Sequence, residues 1–172
     1  MSVNAKTRVK VTVNELLDSP ENKSRGPITH EVDVEDTWTD GTTSTKIDVV
    51  YSDRRSITAS ATSTIDLGTG GGLTDTYGNS IVPAVELVFI VVRNRSSTDG
   101  DILHVGPHSS NGLTGPWVAS GDLVAVGPGD VYYQMNDTGW TITDGSVDTI
   151  RIIETGGANT VLVDVILGLR SA

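Results

Sequence analysis

Few side chains in this 172-residue chain have the type and spacing that chemistry demands. Of its three histidines, His104 and His108 stand four apart, the interval at which two ligands share a helix face. Gly106 and Pro107 lie between them and break any helix there, so the pair reads as loop and strand-end residues, with His30 far away in sequence. Asp99-Gly100-Asp101 starts like a calcium loop but lacks the further spaced oxygen ligands and the closing Glu, which leaves a hairpin turn. The run Gly68-Thr69-Gly70-Gly71-Gly72 has no Lys-Ser/Thr after it and opens no helix, so a curved crossing between strands fits better than a phosphate loop. No Gly-x-Ser-x-Gly motif occurs, and with no cysteine, thiolate chemistry and zinc-thiolate sites are excluded. The 22 carboxylates permit a glycosidase pair by number, but aromatics at 5% leave little with which to build a sugar cleft. No residue is assigned a catalytic, cofactor or metal role, and the chain reads as a non-enzyme.

Binding is the better prospect. Trp38, Trp117 and Trp140 with Tyr51, Tyr77, Tyr132 and Tyr133 offer either a sugar-stacking platform or a set of core and interface anchors, and the second is the commoner use of these residues. Tyr132 and Tyr133 are adjacent on a strand and must face opposite ways, one to the core and one to a surface or interface. Near the N-terminus, Lys6, Arg8 and Lys10 alternate with Val9, Val11 and Val13, a strand with one charged and one apolar face. These six residues and the two tyrosines are the candidate interface.

The elements that position them are β-strands. Thr, Val and Gly dominate the composition, and short strand-like runs recur about every ten residues between Gly, Pro, Asn and Asp. They include KTRVKVTV (6–13), ITHEVDVE (28–35), SITASATSTIDL (56–67), VPAVELVFIVVRN (82–94), WVAS (117–120), DVYYQM (130–135), GWTIT (139–143) and NTVLVDVILGL (159–169). No helical periodicity lasts three turns. The expected fold is all-β, a jelly-roll or Greek-key sandwich over 41–172, with an N-terminal arm or edge hairpin over 1–40. Between the first two strands lies a polar stretch, 14–27, with at most one helical turn before Pro20. The first strand needs a partner for its backbone hydrogen bonds, and a neighbouring subunit's sheet edge within reach of the polar stretch is the favoured one. Asp-Gly follows Thr at 40–41, 99–100 and 144–145, a recurrent tight-turn chemistry.

Net charge is −10, which argues against nucleic acid or an anionic membrane as a partner. The longest apolar run, Val85–Val92, is far short of the ~18 residues of a spanning helix. Basic residues concentrate early (Lys6, Arg8, Lys10, Lys23, Arg25), leaving only Arg151 and Arg170 after Arg95, so the later part reads as the acidic, solvent-facing end.

Residues 44–168 carry a further pattern: Ile65-Asp66-Leu67 closing a Ser/Thr-rich strand, then Leu73-Thr74-Asp75-Thr76-Tyr77-Gly78, a long strand ending in Arg93-Asn94, and Gly127-Pro128-Gly129 before a strand with aromatics. This order resembles the small β-sandwich virion proteins of tailed phages, of the head decoration or cement type. The resemblance implies a structural protein on the outside of a capsid, made in a host cytoplasm, whose partners are the major capsid protein and copies of itself in a trimer or other symmetric oligomer. Neck, tail or fibre components share such sandwiches, and a carbohydrate-binding module is the alternative from another class.

Overall fold

A computed structural model of the chain describes residues 3–15, 28–75, 77–81 and 84–171. The polar stretch between the first two strands lies outside the described residues from 16 to 27, as does the single helical turn expected there. Eleven strands and one 3-10 turn (Thr69–Gly71) make up the described structure.

Alternation of charge and valine produces the first pair. Strand β1 (Asn4–Glu15) runs antiparallel to β2 (Ile28–Asp40) through twelve paired positions, from Asn4–Thr39 to Glu15–Ile28. The expectation of a lone first strand seeking a neighbour's edge is corrected by this register, because β1 finds its ladder in β2. Facing residues share a side in an antiparallel pair. Ala5–Trp38, Thr7–Asp36, Val9–Val34 and Val11–Val32 therefore form one face, and Lys6–Thr37, Arg8–Glu35 and Lys10–Asp33 the other. Two residues of β3 (Lys46–Ile47) add parallel to the end of β2 and complete a three-stranded sheet.

The remaining strands form two four-stranded sheets. One has the order β4-β11-β6-β9 and the other β5-β10-β7-β8, where β4 is Val49–Ile57, β5 Thr62–Asp66, β6 Glu86–Asn94, β7 Leu103–Pro107, β8 Val124–Val126, β9 Val131–Thr141, β10 Thr149–Glu154 and β11 Val161–Arg170. From β4 to β11, only β7 and β8 follow one another within a sheet, and each of the other connections crosses from one sheet to the other. The inward residues of both sheets share one core, with Tyr51, Ile65, Ile90, Leu103, Ile152, Val165 and Leu167 among its members. An all-β sandwich is the fold.

Three segments depart from the strand pattern in the sequence. The stretch SITASATSTIDL is two strands, not one. The chain turns at 58–61, where Ser60 takes φ 60° and its amide donates to Glu154 at 2.6 Å. A buried carboxylate, rather than a Gly or Pro, makes that corner. WVAS is a turn that places the Trp117 ring in the core. DVYYQM and GWTIT join as the single β9, with an irregularity opposite Leu87 and Phe89 that takes up the extra residues. The three Asp-Gly pairs do turn the chain, with Gly41, Gly100 and Gly145 all at positive φ.

Candidate functional site

The outer face of sheet β4-β11-β6-β9 is where the hairpin meets the sandwich. Val50, Phe89 and Met135 point outward there, and the hairpin's root lies against them. Trp38, Val3, Ile47, Val88 and Phe89 form a second buried cluster, with Ala5, Val91, Tyr133 and Met135 packed around it. Trp38 is 1% exposed, its ring 5.0 Å from that of Phe89 at an interplanar angle of 40°. Phe89 in turn lies across Gly168, where a Cβ would stand 2.2 Å from the Phe89 ring. Only Gly at 168 lets that ring lie flat on β11, so the root's packing depends on it.

Polar contacts fasten the same corner. Arg170, fully buried, donates from Nε to the Lys46 carbonyl at 2.8 Å, from Nη1 to Glu86 and the Thr138 carbonyl, and from Nη2 to the Asp137 carbonyl. One guanidinium thus joins β3, β6, β9 and β11. No signal in the sequence marks its burial. Val3 donates to Asp40 at 3.0 Å, and Thr7 Oγ1 lies 2.8 Å from the Tyr133 hydroxyl. Partial burial pushes the Tyr133 hydroxyl above the usual tyrosine range, opposed by its hydrogen bond from Thr7.

Beyond Thr7 the hairpin separates from the sheet. A cavity of about 270 Å³ opens between them, lined by Thr7, Arg8, Val9, Val91, Val131 and Tyr133. From Val9 outward no described residue covers the apolar face: Val9, Val11, Val13, Val32 and Val34 are 41–58% exposed. The opposite face is closed electrostatically, with Lys6–Glu35 at 2.8 Å, Arg8–Asp33, and Lys10–Glu31 at 3.3 Å. The candidate interface residues Lys6, Arg8 and Lys10 therefore have their charge met by β2, and the hairpin carries three basic against six acidic residues. Val9, Val11 and Val13 form, with Val32 and Val34, a stripe of one residue type on a free sheet face. The outer sheet face beside the cavity is also uncovered at Val131, Leu162 and Ile166. It bears Arg54, Arg93 and Arg95 against one carboxylate, Asp164, which Arg54 and Arg95 bridge at 2.7 and 2.8 Å and hold below the usual carboxylate range.

The tyrosines divide as their alternation requires. Tyr132 faces inward, stacked on Trp117 at 6.3 Å, and burial pushes its hydroxyl up to about 12. Tyr133 faces outward beneath the hairpin root. With Trp38, Trp117 and Tyr51 buried and Trp140 half-buried against the core, the aromatics make no coplanar platform, and Tyr77 alone of the described ones is largely exposed. Tyr77 edges a cleft of about 430 Å³ with Asp48, Asp75 and Asn79.

The motifs weighed for chemistry take structural partners. His104 Nδ1 lies 2.7 Å from Thr155 Oγ1, and His108 Nδ1 accepts from the Ser110 amide. The side chain of His30 falls outside the description. Asp101 is buried and accepts from Ser96 at 2.6 Å. At the glycine run, carboxylates occupy the place a phosphate would take, with Asp66 accepting from Gly68 and Asp144 from Thr69, both at 2.9 Å. Among the described residues no three His, Cys, Asp or Glu side chains gather as metal ligands. Compared with protein-family models and with curated proteins, the sequence finds no match.

Proposed function

We propose that the chain is a non-enzymatic structural protein of a tailed-phage virion, and within that class a decoration (cement) protein bound to the outside of the head. Its partners are then the major capsid protein and further copies of itself, and its place is the capsid surface after synthesis in a host cytoplasm. The observation that carries this reading is the hairpin: an amphipathic β-pair anchored by one Trp and lifted from its sandwich with five valines uncovered is a surface for assembly with other chains, further copies of itself included. The interleaved order of β4 to β11 supports it, being the order of a jelly roll, an architecture common in capsid and lectin domains. A net charge of −10 suits a protein that stays soluble at high copy number before it binds.

The test is quantitative mass spectrometry of purified particles together with binding to undecorated shells. Copies on the order of hundreds per particle, with binding that saturates the shell lattice, are expected of a protein relying on many identical contacts. A dozen or fewer places the chain in the neck, tail or fibre instead. Tyr77 favours one other reading, since an exposed ring beside Asp75 and Asn79 is an arrangement on which a sugar ring can stack. Glycan binding that disappears in Tyr77→Ala would establish it.

A further inference from the structure

Among the described residues two apolar surfaces lie uncovered, diverging from each other across the cavity beyond Thr7. One is the valine face of the hairpin beyond Thr7; the other is the outer sheet face around Val131, Leu162 and Ile166. A two-stranded pair with one bare apolar face is marginal in water and calls for a covering layer. We propose that a second copy supplies it: the valine face of each hairpin seats on the outer face of sheet β4-β11-β6-β9 of its partner, reciprocally, in a two-fold pair.

Three observations choose this occupant. First, the surfaces match in kind, both being flat aliphatic sheet faces of the sort that pack in layers about 10 Å apart. Second, they match in charge. From Ala5 to Val11 and from Val32 to Trp38 the register places one charged residue, the acidic Asp36, on the valine face of a hairpin with three basic against six acidic residues, while the sheet face bears Arg54, Arg93 and Arg95 against Asp164. Two hairpins laid on each other would repel, whereas a hairpin laid on the sheet face is attracted. Third, the area suffices only when the exchange is mutual. The free hairpin face, two strands wide and about eight residues long, covers roughly 300 Å², so two hairpins on two sheet faces bury about 1,200 Å², the lower bound for specific interfaces. A reciprocal contact is also the form a two-fold axis generates. The proposal does not rest on head binding, and its test needs no shell.

The chain has no cysteine, so introduced thiols report on the contact directly. Val32→Cys and Ile166→Cys, made in separate full-length chains and mixed under mild oxidation, are expected to give a disulfide-linked mixed dimer far in excess of either homodimer. Sedimentation equilibrium of the unmodified protein is expected to show twice the 18.1 kDa chain mass. Val32→Asp and Ile166→Asp, both at exposed positions of the single chain, should each weaken the pair at least about tenfold while leaving the circular-dichroism spectrum unchanged, as for anchors at the centre of an interface. A monomer at every concentration overturns the proposal. So does cross-linking confined to Val32→Cys with itself, which is the signature of hairpin on hairpin.

Discussion

The hairpin and the sandwich are both built of strands that alternate apolar and polar residues, yet they use the apolar half differently. In β11, Val161, Val163, Val165 and Leu167 point at a second sheet and are fully buried. In β1, Val9, Val11 and Val13 repeat the same period and are 41–50% exposed among the described residues. Period two specifies a strand and its faces, and burial needs a further layer that the pattern does not encode. Stability should therefore be concentrated in the sandwich, with the hairpin held through its root.

The sharpest contrast comes from truncating one residue in each region. Leu167→Ala or Ile152→Ala should cost about 2–5 kcal/mol in urea denaturation, because both side chains are enclosed on every side. Val11→Ala, measured on the dissociated chain, should fall within about 0.5 kcal/mol of the parent. Equal losses would break the comparison. Next in size is the joint between the regions. Trp38→Ala empties the root cluster, and its expected result is selective: limited proteolysis cuts within 4–40 while the residues from 49 onward stay protected. If the whole chain melts together instead, the hairpin is an integral part of the core.

A smaller effect distinguishes the corner at Ser60. Glu154 accepts from the amides of Ser60, Gly156 and Gly157, and these hold its carboxyl below the ordinary glutamate value of 4.5. Since the folded value lies below the unfolded one, its contribution is complete above 4.5 and is lost as the pH falls through the lower folded value. Glu154→Gln should be less stable than the parent at neutral pH, and the gap should close on acidification. A gap that stays constant with pH would mean that the charge is irrelevant. The least effect is expected on the hairpin's charged face, where Lys10→Ala should leave the thermal midpoint nearly unchanged, as exposed ion pairs generally do.

Much of the strand pattern was legible before the structure. KTRVKVTV and ITHEVDVE lie within β1 and β2, and the run ending in Arg93-Asn94 contains β6. The failures are tertiary. Thr58 to Ala61 read as continuing strand because the carboxylate that bends them lies 94 residues from Ser60, at Glu154. Trp117 in WVAS reads as a strand residue because a turn that swings a ring inward leaves no periodic trace. Nothing in the sequence marks Arg170 as buried, because its acceptors, three of them backbone carbonyls, come from residues 32 to 124 positions distant. The candidate site was half visible. Lys6 to Val13 were marked as a two-faced strand, but the acidic partner that neutralises it, and the sheet face behind Tyr133, emerge only from the register.

The connections that cross between sheets also set an order in time. The β1–β2 pair closes through contacts along one stretch of chain and belongs to the class of events completed in roughly 1–10 μs. The sandwich must join β4 to β11 and β5 to β10 across most of its length before any of those pairings is rewarded, and architectures of this kind fold in about milliseconds to seconds. The hairpin also precedes the sandwich along the chain and so leaves the ribosome earlier. For that interval the valine stripe is exposed on a pair that is marginal by itself, because the sandwich that anchors its root is not yet built. With six acidic against three basic residues, the hairpin's net negative charge would keep newly made chains apart over that interval.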